Sequence, residues 1–172
     1  MSIRPATGND AAGIAEVHVA AWRAAYALIV PEAVLVGLDV ERRAARWRGI
    51  LADLDQGSRV FVALWEGRVC GFAGIGRDRG GLDVGELTAL YVDPALWGRG
   101  IGRGLLAAAE ASLAAEGFSE AVLWVLAGNQ RGRAVYGRFG WTADGTETDL
   151  DFDGVPVPEV RYRKVLGKPG TL

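Results

Sequence analysis

The sequence predicts a mixed α/β fold, an α+β arrangement in which helices cover both faces of a mostly antiparallel central sheet. Three observations lead to this prediction. Strand-length apolar segments alternate with Ala- and Leu-rich segments of helix length over nearly the whole chain. The strand-like segments 59–64 and 68–75 are separated only by WEG at 65–67, which is typical of a hairpin. The apolar run 121–126 is typical of a strand buried on both faces.

The first half of the chain is predicted to begin with a strand that leads into a capped helix. Asn9 or Asp10 can cap this helix, and Ile14, Val17 and Ala21 follow at helical spacing. Pro31 then breaks the chain and opens a short turn. The predicted elements are a strand at 2–6, a helix at 11–25, a turn at 32–35, a helix at 41–51, and strands at 59–64, 68–75 and 83–92.

The second half is predicted to alternate helices with strands and to end on an antiparallel pair. Gly117 and Gly140 lie where the glycine after a helix belongs, and Asp153-Gly154 fits the final turn. The predicted elements are a helix at 105–116, a strand at 121–126, a helix from Asn129 to Phe139, and strands at 142–150 and 159–166. The complete order is therefore β-α-α-β-β-β-α-β-α-β-β.

Length and composition favour one domain at 1–166 followed by a tail at 167–172. A net charge of −2 gives no argument for nucleic acid or a membrane surface as partner. No apolar run approaches the ~18 residues that a spanning helix needs. Cys70 and His18 are the only cysteine and histidine, so no disulfide framework or metal-ligand spacing exists. We expect a soluble cytoplasmic protein without a metal, either a monomer or a homodimer.

A glycine-rich turn links the predicted strand 83–92 to the helix that follows. It carries Gly98, Gly100, Gly102 and Gly104. A strand, a glycine turn and a helix together direct free backbone N–H groups and a positive helix end toward an anion. No Lys follows the glycines as a Walker loop requires, and G-x-G-x-x-G fails in both frames. The turn predicts a pyrophosphate site, unless it is a glycine-rich connection without a ligand.

Two motifs resemble those of the GCN5-related N-acetyltransferases. Trp97-Gly98-Arg99-Gly100-Ile101-Gly102 resembles the pyrophosphate motif R/Q-x-x-G-x-G/A, although Trp97 replaces the usual Gln or Arg and so removes one polar contact. The stretch 123–141 resembles the segment N-x-x-A-x-x-x-Y-x-x-x-G-F. Its matching residues are Asn129, Tyr136, Gly140 and Trp141, with Gly132 where Ala is usual. The resemblance implies the acyl-CoA N-acyltransferase fold and direct acetyl transfer from acetyl-CoA to an amine in a ternary complex.

The resemblance also implies where acetyl-CoA is held. The N–H groups of Gly98, Arg99, Gly100, Ile101, Gly102 and Arg103 are expected to bind the pyrophosphate. Main-chain groups of Leu90, Tyr91 and Val92 are expected to hold the pantetheine arm like an added strand. One of their N–H groups would polarise the acetyl carbonyl, which requires a gap in the sheet beside Val92. Asn129 is expected to bond the pantetheine arm, to cap a helix, or to do both.

Two residues are candidates for proton transfer. Tyr136 occupies the motif position that faces the CoA sulfur in the resembled family, so it is the candidate general acid; alternatively, it packs on the sheet. Glu86 lies six residues before Val92, the offset of the base in histone-type members. A lone acid on an apolar strand has a raised pKa if it is buried, which suits a base. Alternatively, Glu86 faces solvent, and Asp83 is a weaker candidate.

The acceptor is expected to be a small-molecule amine. Trp22 and Tyr26 lie one turn apart and share a face, so they form either core or a wall of the acceptor pocket. Residues 123–126 read LWVL and lack both charges of the L-E-V-R of ribosomal-protein N-terminal acetyltransferases. The acidic run at 144–153 either attracts a cation or is a solvated hairpin face. The alternatives are a non-catalytic acyl-CoA-binding or regulatory domain, a protein N-terminal or lysine acetyltransferase, and a structural domain without a cofactor.

Overall fold

Seven strands form one mixed sheet in this computed structural model, which describes residues 1–55 and 57–167. The strands are β1 (Ser2–Pro5), β2 (Arg59–Trp65), β3 (Arg68–Arg77), β4 (Gly85–Val92), β5 (Glu120–Leu126), β6 (Thr142–Phe152) and β7 (Val155–Val165). Their order in the sheet is β1-β2-β3-β4-β5-β7-β6. Only β4 and β5 pair in parallel, and the other neighbours are antiparallel. The predicted fold class is confirmed.

Helices cover both faces of this sheet. They are α1 (Ala11–Ala25), α2 (Glu32–Val36), α3 (Val40–Ala52), α4 (Ile101–Ala115) and α5 (Gln130–Arg138), with 3₁₀ turns at Gly8–Asp10 and Pro94–Leu96. Ile14 of α1 and Trp47 of α3 pack in one cluster with Phe72. Leu105 of α4 packs in another cluster with Ala73. Successive residues of a strand point to opposite faces, so Phe72 and Ala73 mark the two sides of the sheet.

Helix α4 begins at Ile101 rather than at residue 105 as predicted. Gly100 precedes it in the left-handed conformation, with φ of 80°, so the helix starts directly after the turn. Gly102 and Gly104 therefore lie in its first turn. A Cβ at position 104 would lie 2.7 Å from Cδ1 of Ile3, so Gly104 allows α4 to approach β1 closely.

The last hairpin is longer than predicted, because β7 begins at Val155 rather than at residue 159. Pro156 and Pro158 made the earlier start unexpected, yet both pair with β6. The pairing of β5 with β7 ends at Glu159, so residues 155–158 of β7 form an edge with no ladder to β5. Proline is tolerated at such an edge because its missing N–H is not needed for a ladder hydrogen bond. Of the predicted tail, residues 168–172 lie outside the described residues.

The sheet opens between β4 and β5. Their pairing covers only Gly85, Glu86 and Leu87 of β4. Thr88 is an extra residue in the ladder with β3, because Ala89 pairs with Gly74 while Leu87 pairs with Ile75. Such a bulge bends and twists its strand. Within the described residues the rest of β4 therefore has no partner on its β5 side, and this is the gap expected beside Val92.

A buried carboxylate ties β1 to the start of α1. Both Nη atoms of Arg4 donate to Asp10 at 2.8 Å, and the N–H of Thr7 donates to it at 2.7 Å. Only 7% of Asp10 is exposed. The hydrogen bonds from Arg4 lower the pKa of Asp10 to about 2 although burial opposes them. The carboxylate is therefore stabilised as the anion.

We expect Asp10→Asn to lower the free energy of unfolding by about 1–3 kcal/mol at neutral pH, because charge-assisted hydrogen bonds are lost. The pKa of Asp10 is about 2 in the folded state, below the ordinary 3.8. This stabilisation is therefore fully present above pH 3.8 and is lost as the pH falls through 2. Denaturant unfolding of both proteins between neutral and acidic pH should therefore show a shrinking difference. A difference that stays constant with pH would contradict this role.

Candidate active site

One cleft of about 1320 Å³ runs through the gap between β4 and β5. At one end lies the turn before α4, and at the other lies a space walled by residues of α1, α3 and β7. Both ends and the gap are lined by residues of the sequence prediction. These are Trp22, Tyr26, Glu86, Leu90, Tyr91, Val92, Gly98, Gly100, Ile101, Gly102, Arg103, Asn129 and Tyr136. The cleft is long enough for an extended ligand and a second, smaller one.

The turn before α4 presents six consecutive free N–H groups. Among the described residues, the N–H groups of residues 98–103 donate to no backbone carbonyl. Gly98 and Gly100 have φ values of 82° and 80°, and a Cβ at either would meet nothing within 4 Å. A Cβ at Gly102 would contact only Cγ2 of Val92, at 3.7 Å. An anion can therefore approach this helix end closely, as a pyrophosphate site requires.

Arginine side chains surround this end, but not all of them face the cleft. Arg103 lines it, whereas the guanidinium of Arg99 lies 5.6 Å from the ring centre of Trp65. The guanidinium of Arg131, at the start of α5, lies 4.1 Å from the ring centre of Trp97 and lines the cleft. Trp97 stands at the motif position where Gln or Arg is usual, and its ring instead holds Arg131 beside the turn. Sequence reasoning missed Arg131 because this pairing joins two separate elements.

The exposed edge of β4 offers main-chain groups from Leu90 and Val92. The N–H of Asp93 donates to the C=O of Cys70. In an antiparallel ladder the backbone N–H and C=O groups of successive residues point to alternate sides of the strand. The backbone groups of Tyr91 therefore pair with β3, while those of Leu90 and Val92 point into the gap. The expectation for main-chain contacts of Tyr91 is therefore wrong, although its side chain lines the cleft. The C=O of Val92 is already used, since Nε1 of Trp97 donates to it at 2.9 Å.

Asn129 caps α5 and is held in place by a glycine. Its Oδ1 accepts from the N–H of Gly132 at 2.9 Å, which leaves Nδ2 to donate into the cleft. A Cβ at position 132 would lie 2.6 Å from Nδ2. Alanine, the usual residue at this motif position, would therefore require the Asn129 side chain to shift.

Tyr136 both packs on the sheet and lines the cleft. Its ring lies 6.5 Å from that of Trp141 and 6.3 Å from that of Tyr162. Burial, and then the neighbouring Tyr91, raise the pKa of Tyr136. It therefore keeps its proton at neutral pH and can donate a hydrogen bond.

Glu86 is buried and paired, so it is neither a lone acid nor a solvent-facing one. Only 1% of it is exposed. Nη2 of Arg79 donates to Oε1 at 2.6 Å, and the N–H of Arg79 donates to Oε2 at 3.1 Å. Arg79 lies in the loop between β3 and β4, and 73% of its side chain is exposed. Because both Glu86 oxygens already accept hydrogen bonds, Glu86 can take a proton from a ligand only if Arg79 moves away.

Glu159 is a second carboxylate in the cleft, and sequence reasoning missed it. It lies half-buried on β7, and none of its hydrogen bonds within the described residues involves its side chain. Burial raises the pKa of Glu159, the charge of Glu86 adds to this, and Arg79 opposes it. No motif surrounds Glu159, and only the sheet brings it near Arg79 and Glu86. Asp83, the weaker candidate, has a 92% exposed side chain that pairs with Arg77.

Aromatic rings form the other end of the cleft. Trp22 and Tyr26 pack in an apolar cluster, as core residues do, and they also line the cleft. That they form a wall of the acceptor pocket stays a prediction. The ring of His18 stacks on Tyr91 at 4.9 Å, and its Nδ1 accepts from Nε1 of Trp47. Burial, with the charges of Arg43 and Arg46, lowers the pKa of His18 to about 3. His18 is therefore neutral, and its one ring proton lies on Nε2.

The acidic run at 144–153 lies on β6 and in the turn after it, where most of its residues are exposed, although Asp151 also lines the cleft. Asp144 is paired with Arg161 at 2.7 Å. Within residues 1–55 and 57–167, no three His, Cys, Asp or Glu side chains are grouped to hold a metal ion. No helix of the same residues is long and apolar enough to cross a bilayer.

Comparisons with known proteins agree on one family. A model described as the acetyltransferase (GNAT) family matches residues 22–141. The uncharacterized N-acetyltransferase YuaI of Bacillus subtilis (strain 168) is 36% identical over 75% of this chain and 73% of its own length. A mycothiol acetyltransferase of Nocardioides sp. is 34% identical over 65% of this chain, which spans 40% of that protein. The structure of yncA, a putative acetyltransferase from Salmonella typhimurium with its cofactor acetyl-CoA, has the same fold, with a TM-score of 0.72. The two chains are 22% identical, and the match covers 100% of this chain and 97% of that one.

Proposed function

The chain belongs to the GNAT acetyltransferase family and is an acyltransferase, and from this premise we propose that it transfers an acetyl group from acetyl-CoA to the primary amine of a small molecule. The observation that carries the proposal is the run of free N–H groups at 98–103, at the mouth of a gap that leads to carboxylates. We include a cytoplasmic location in the proposal, since Cys70 is a free thiol.

Acetyl-CoA, the co-substrate, supplies the acetyl thioester. The N–H groups of residues 98–103 hold its pyrophosphate, with Arg131 and Arg103 adding positive charge. The C=O of Leu90, Nδ2 of Asn129 and one of the two N–H groups of Leu90 and Val92 hold the pantetheine arm, which leaves the other N–H for the acetyl carbonyl. Glycine at 98, 100 and 102 keeps side chains out of the space that the phosphates need.

The amine must lose a proton before it can attack, because an amine with a pKa near 10 is mostly protonated at neutral pH. Glu159 accepts this proton, directly or through a water molecule, since its carboxylate faces the cleft and burial has raised its pKa. Arg79 and Glu86 hold each other beside it. The alternative assigns the proton to Glu86 itself and requires the exposed Arg79 side chain to move away.

Two further groups stabilise charge as the C–N bond forms and the C–S bond breaks. A main-chain N–H of β4, at Leu90 or Val92, donates to the carbonyl oxygen as it becomes negative. The hydroxyl of Tyr136 donates to the departing sulfur. The pKa of Tyr136 is raised, so it acts as a hydrogen-bond donor and keeps its own proton. The nitrogen loses its second proton as the amide forms, and this proton passes through solvent to the thiolate.

A free-thiol release assay with acetyl-CoA tests the function over a panel of amines. The panel contains amino acids, aminoglycosides, polyamines and a peptide with a free N-terminus. We expect release above the rate of hydrolysis with at least one small amine, together with the acetylated product by mass spectrometry. Release only with the peptide would contradict the small-molecule acceptor, and no release at all would contradict catalysis.

Tyr136→Phe removes only the hydroxyl, and we expect kcat to fall about 10-fold or more while acetyl-CoA affinity barely changes. The loss arises because the bond to the sulfur strengthens as negative charge develops there. The measurement is steady-state kinetics beside calorimetric affinity. Tyr162→Phe is the matched control, since Tyr162 lies on β7 and its hydroxyl accepts from Arg133 rather than lining the cleft. Equal rates for wild type and Tyr136→Phe would show that the hydroxyl takes no part in the reaction and that Tyr136 only packs on the sheet.

A further inference from the structure

We propose that the acceptor is a zwitterion, an amino acid whose carboxylate is bound by Arg43 at the end of the cleft opposite the turn before α4. This inference rests on the proposed function and deepens it by naming the class of acceptor. The inference follows from the positive charges and the hydrogen-bond donors that line the end of the cleft opposite the turn before α4.

Arg43 is the central residue of this anion site. It lies half-buried on α3, lines the cleft, and its guanidinium lies 5.9 Å from the ring centre of Trp22. Among the described residues it forms no ion pair, although Asp53 and Asp55 line the same cleft. A half-buried arginine without a carboxylate is costly, and a bound anion would remove that cost.

Burial lowers the pKa of Arg43, and the charge of Arg46 lowers it further. Arg46 lies one helical turn along α3 and also lines the cleft. No carboxylate is among the groups that act on Arg43. The two like charges therefore create a positive potential at this end of the cleft, which favours an anionic ligand.

Two neutral donors lie beside Arg43. Nε1 of Trp22 is buried and lies toward the hydroxyl of Tyr91, without a partner at full hydrogen-bond geometry in the part of the chain that the structure describes. His18 lies 5.6 Å from Trp22, centre to centre, and carries its proton on Nε2 because Nδ1 accepts from Trp47. The guanidinium of Arg43 and the Nε2–H of His18 match a carboxylate, which has only acceptors, and Nε1 of Trp22 adds a further N–H beside them.

The opposite charge lies across the cleft, where Glu159 faces the gap and accepts the amine proton in the proposed reaction. A ligand that satisfies both sides must carry an amine and an anion on one small frame. The aromatic walls formed by Trp22, Tyr26 and Tyr91 suit the apolar part of such a molecule. The positive charges of Arg43 and Arg46 disfavour polyamines and aminoglycosides, which carry positive charges only.

The test uses the twenty common L-amino acids, β-alanine and 4-aminobutyrate as acceptors in the thiol-release assay. Each acceptor that reacts is then compared with its methyl ester, which lacks the anion; kcat/KM is expressed per concentration of free amine, because the ester's amine has the lower pKa. We expect the free acid to have a kcat/KM about 10- to 100-fold above that of the ester, the value of a charge-assisted pair. Equal values, or reaction of the esters alone, would overturn the proposal.

Arg43→Gln should remove this preference by raising KM for the acid about 10- to 100-fold while leaving the ester and acetyl-CoA affinity unchanged. Arg42→Gln is the matched control, because Arg42 is the exposed neighbour on α3 that does not line the cleft. An Arg43→Gln variant that behaves as Arg42→Gln does would contradict the assignment.

Failure of the two proposals can be told apart. If uncharged amines react as well as amino acids, acetyl transfer stands and the anion site is wrong. If no amine reacts, calorimetry of the same amino acids into the CoA-saturated protein decides the question independently of turnover. Binding that Arg43→Gln loses and Arg42→Gln keeps would support the anion site without catalysis, and no binding would overturn it.

Discussion

Gly102→Val is expected to weaken acetyl-CoA binding by about 100-fold or more, because several charge-assisted hydrogen bonds to the pyrophosphate are lost together. A valine side chain here would stand over the free N–H groups of the turn. The protein itself has room for it, since the only neighbour of a Cβ at this position is Cγ2 of Val92, at 3.7 Å. Valine is also a better helix former than glycine, so the melting temperature should not fall. Calorimetry and thermal unfolding measure the two effects.

The choice of position 102 rather than 100 follows from the backbone. Gly100 has φ of 80°, so valine there would strain the turn and affinity and stability would fall together. Gly49→Val is the matched control, because Gly49 is an exposed glycine of α3 with nothing within 4 Å of a Cβ. If Gly102→Val bound acetyl-CoA as tightly as Gly49→Val does, the pyrophosphate could not lie on this turn.

Glu159→Gln is expected to lower kcat/KM for the amine by about 100-fold near neutral pH, the usual contribution of a general base. The wild-type profile should fall on the acidic side as Glu159 becomes protonated. Burial raises its pKa above the ordinary 4.5, so this limb lies at higher pH than for an exposed glutamate. The variant should recover toward the wild-type rate as pH rises, because free amine then becomes abundant.

Two further variants separate Glu159 from Glu86. If Glu86 were the base, Glu86→Gln would lose the acidic limb, and Arg79→Ala, which removes the guanidinium from Glu86 and leaves only the backbone N–H of residue 79 on Oε2, would increase the rate. If Glu159 is the base, Glu86→Gln retains the limb and chiefly lowers stability, because the pair with Arg79 is lost. A Glu159→Gln variant with the wild-type rate at every pH would show that the assignment to Glu159 is wrong.

Local patterns were enough to predict most of the fold. Hydrophobic spacing and turn residues gave the order of the elements, and the family model confirms the resemblance first indicated by the two motifs. The start of α4 was misplaced because glycines normally interrupt helices. Here Gly104 lies inside a helix for a tertiary reason, its close approach to Ile3, which no local pattern can reveal.

The partners within the cleft could not be predicted from the sequence. Arg79 and Glu86 meet because a loop folds back over β4, and Arg131 reaches Trp97 from another helix. Glu159 belongs to a strand without any motif. Each of these contacts depends on where strands and loops come together in three dimensions, whereas motifs report only residues that are close along the chain.

The central claim is that the gap between β4 and β5 binds acetyl-CoA, with its pyrophosphate on the turn before α4. The most direct measurement is a calorimetric titration of the wild-type protein with acetyl-CoA, with Gly102→Val and Gly49→Val titrated in parallel. We predict saturable binding of one acetyl-CoA per chain for wild type and Gly49→Val, and strongly weakened binding for Gly102→Val. No binding heat for the wild type at millimolar acetyl-CoA, or equal affinity for all three proteins, would contradict the claim.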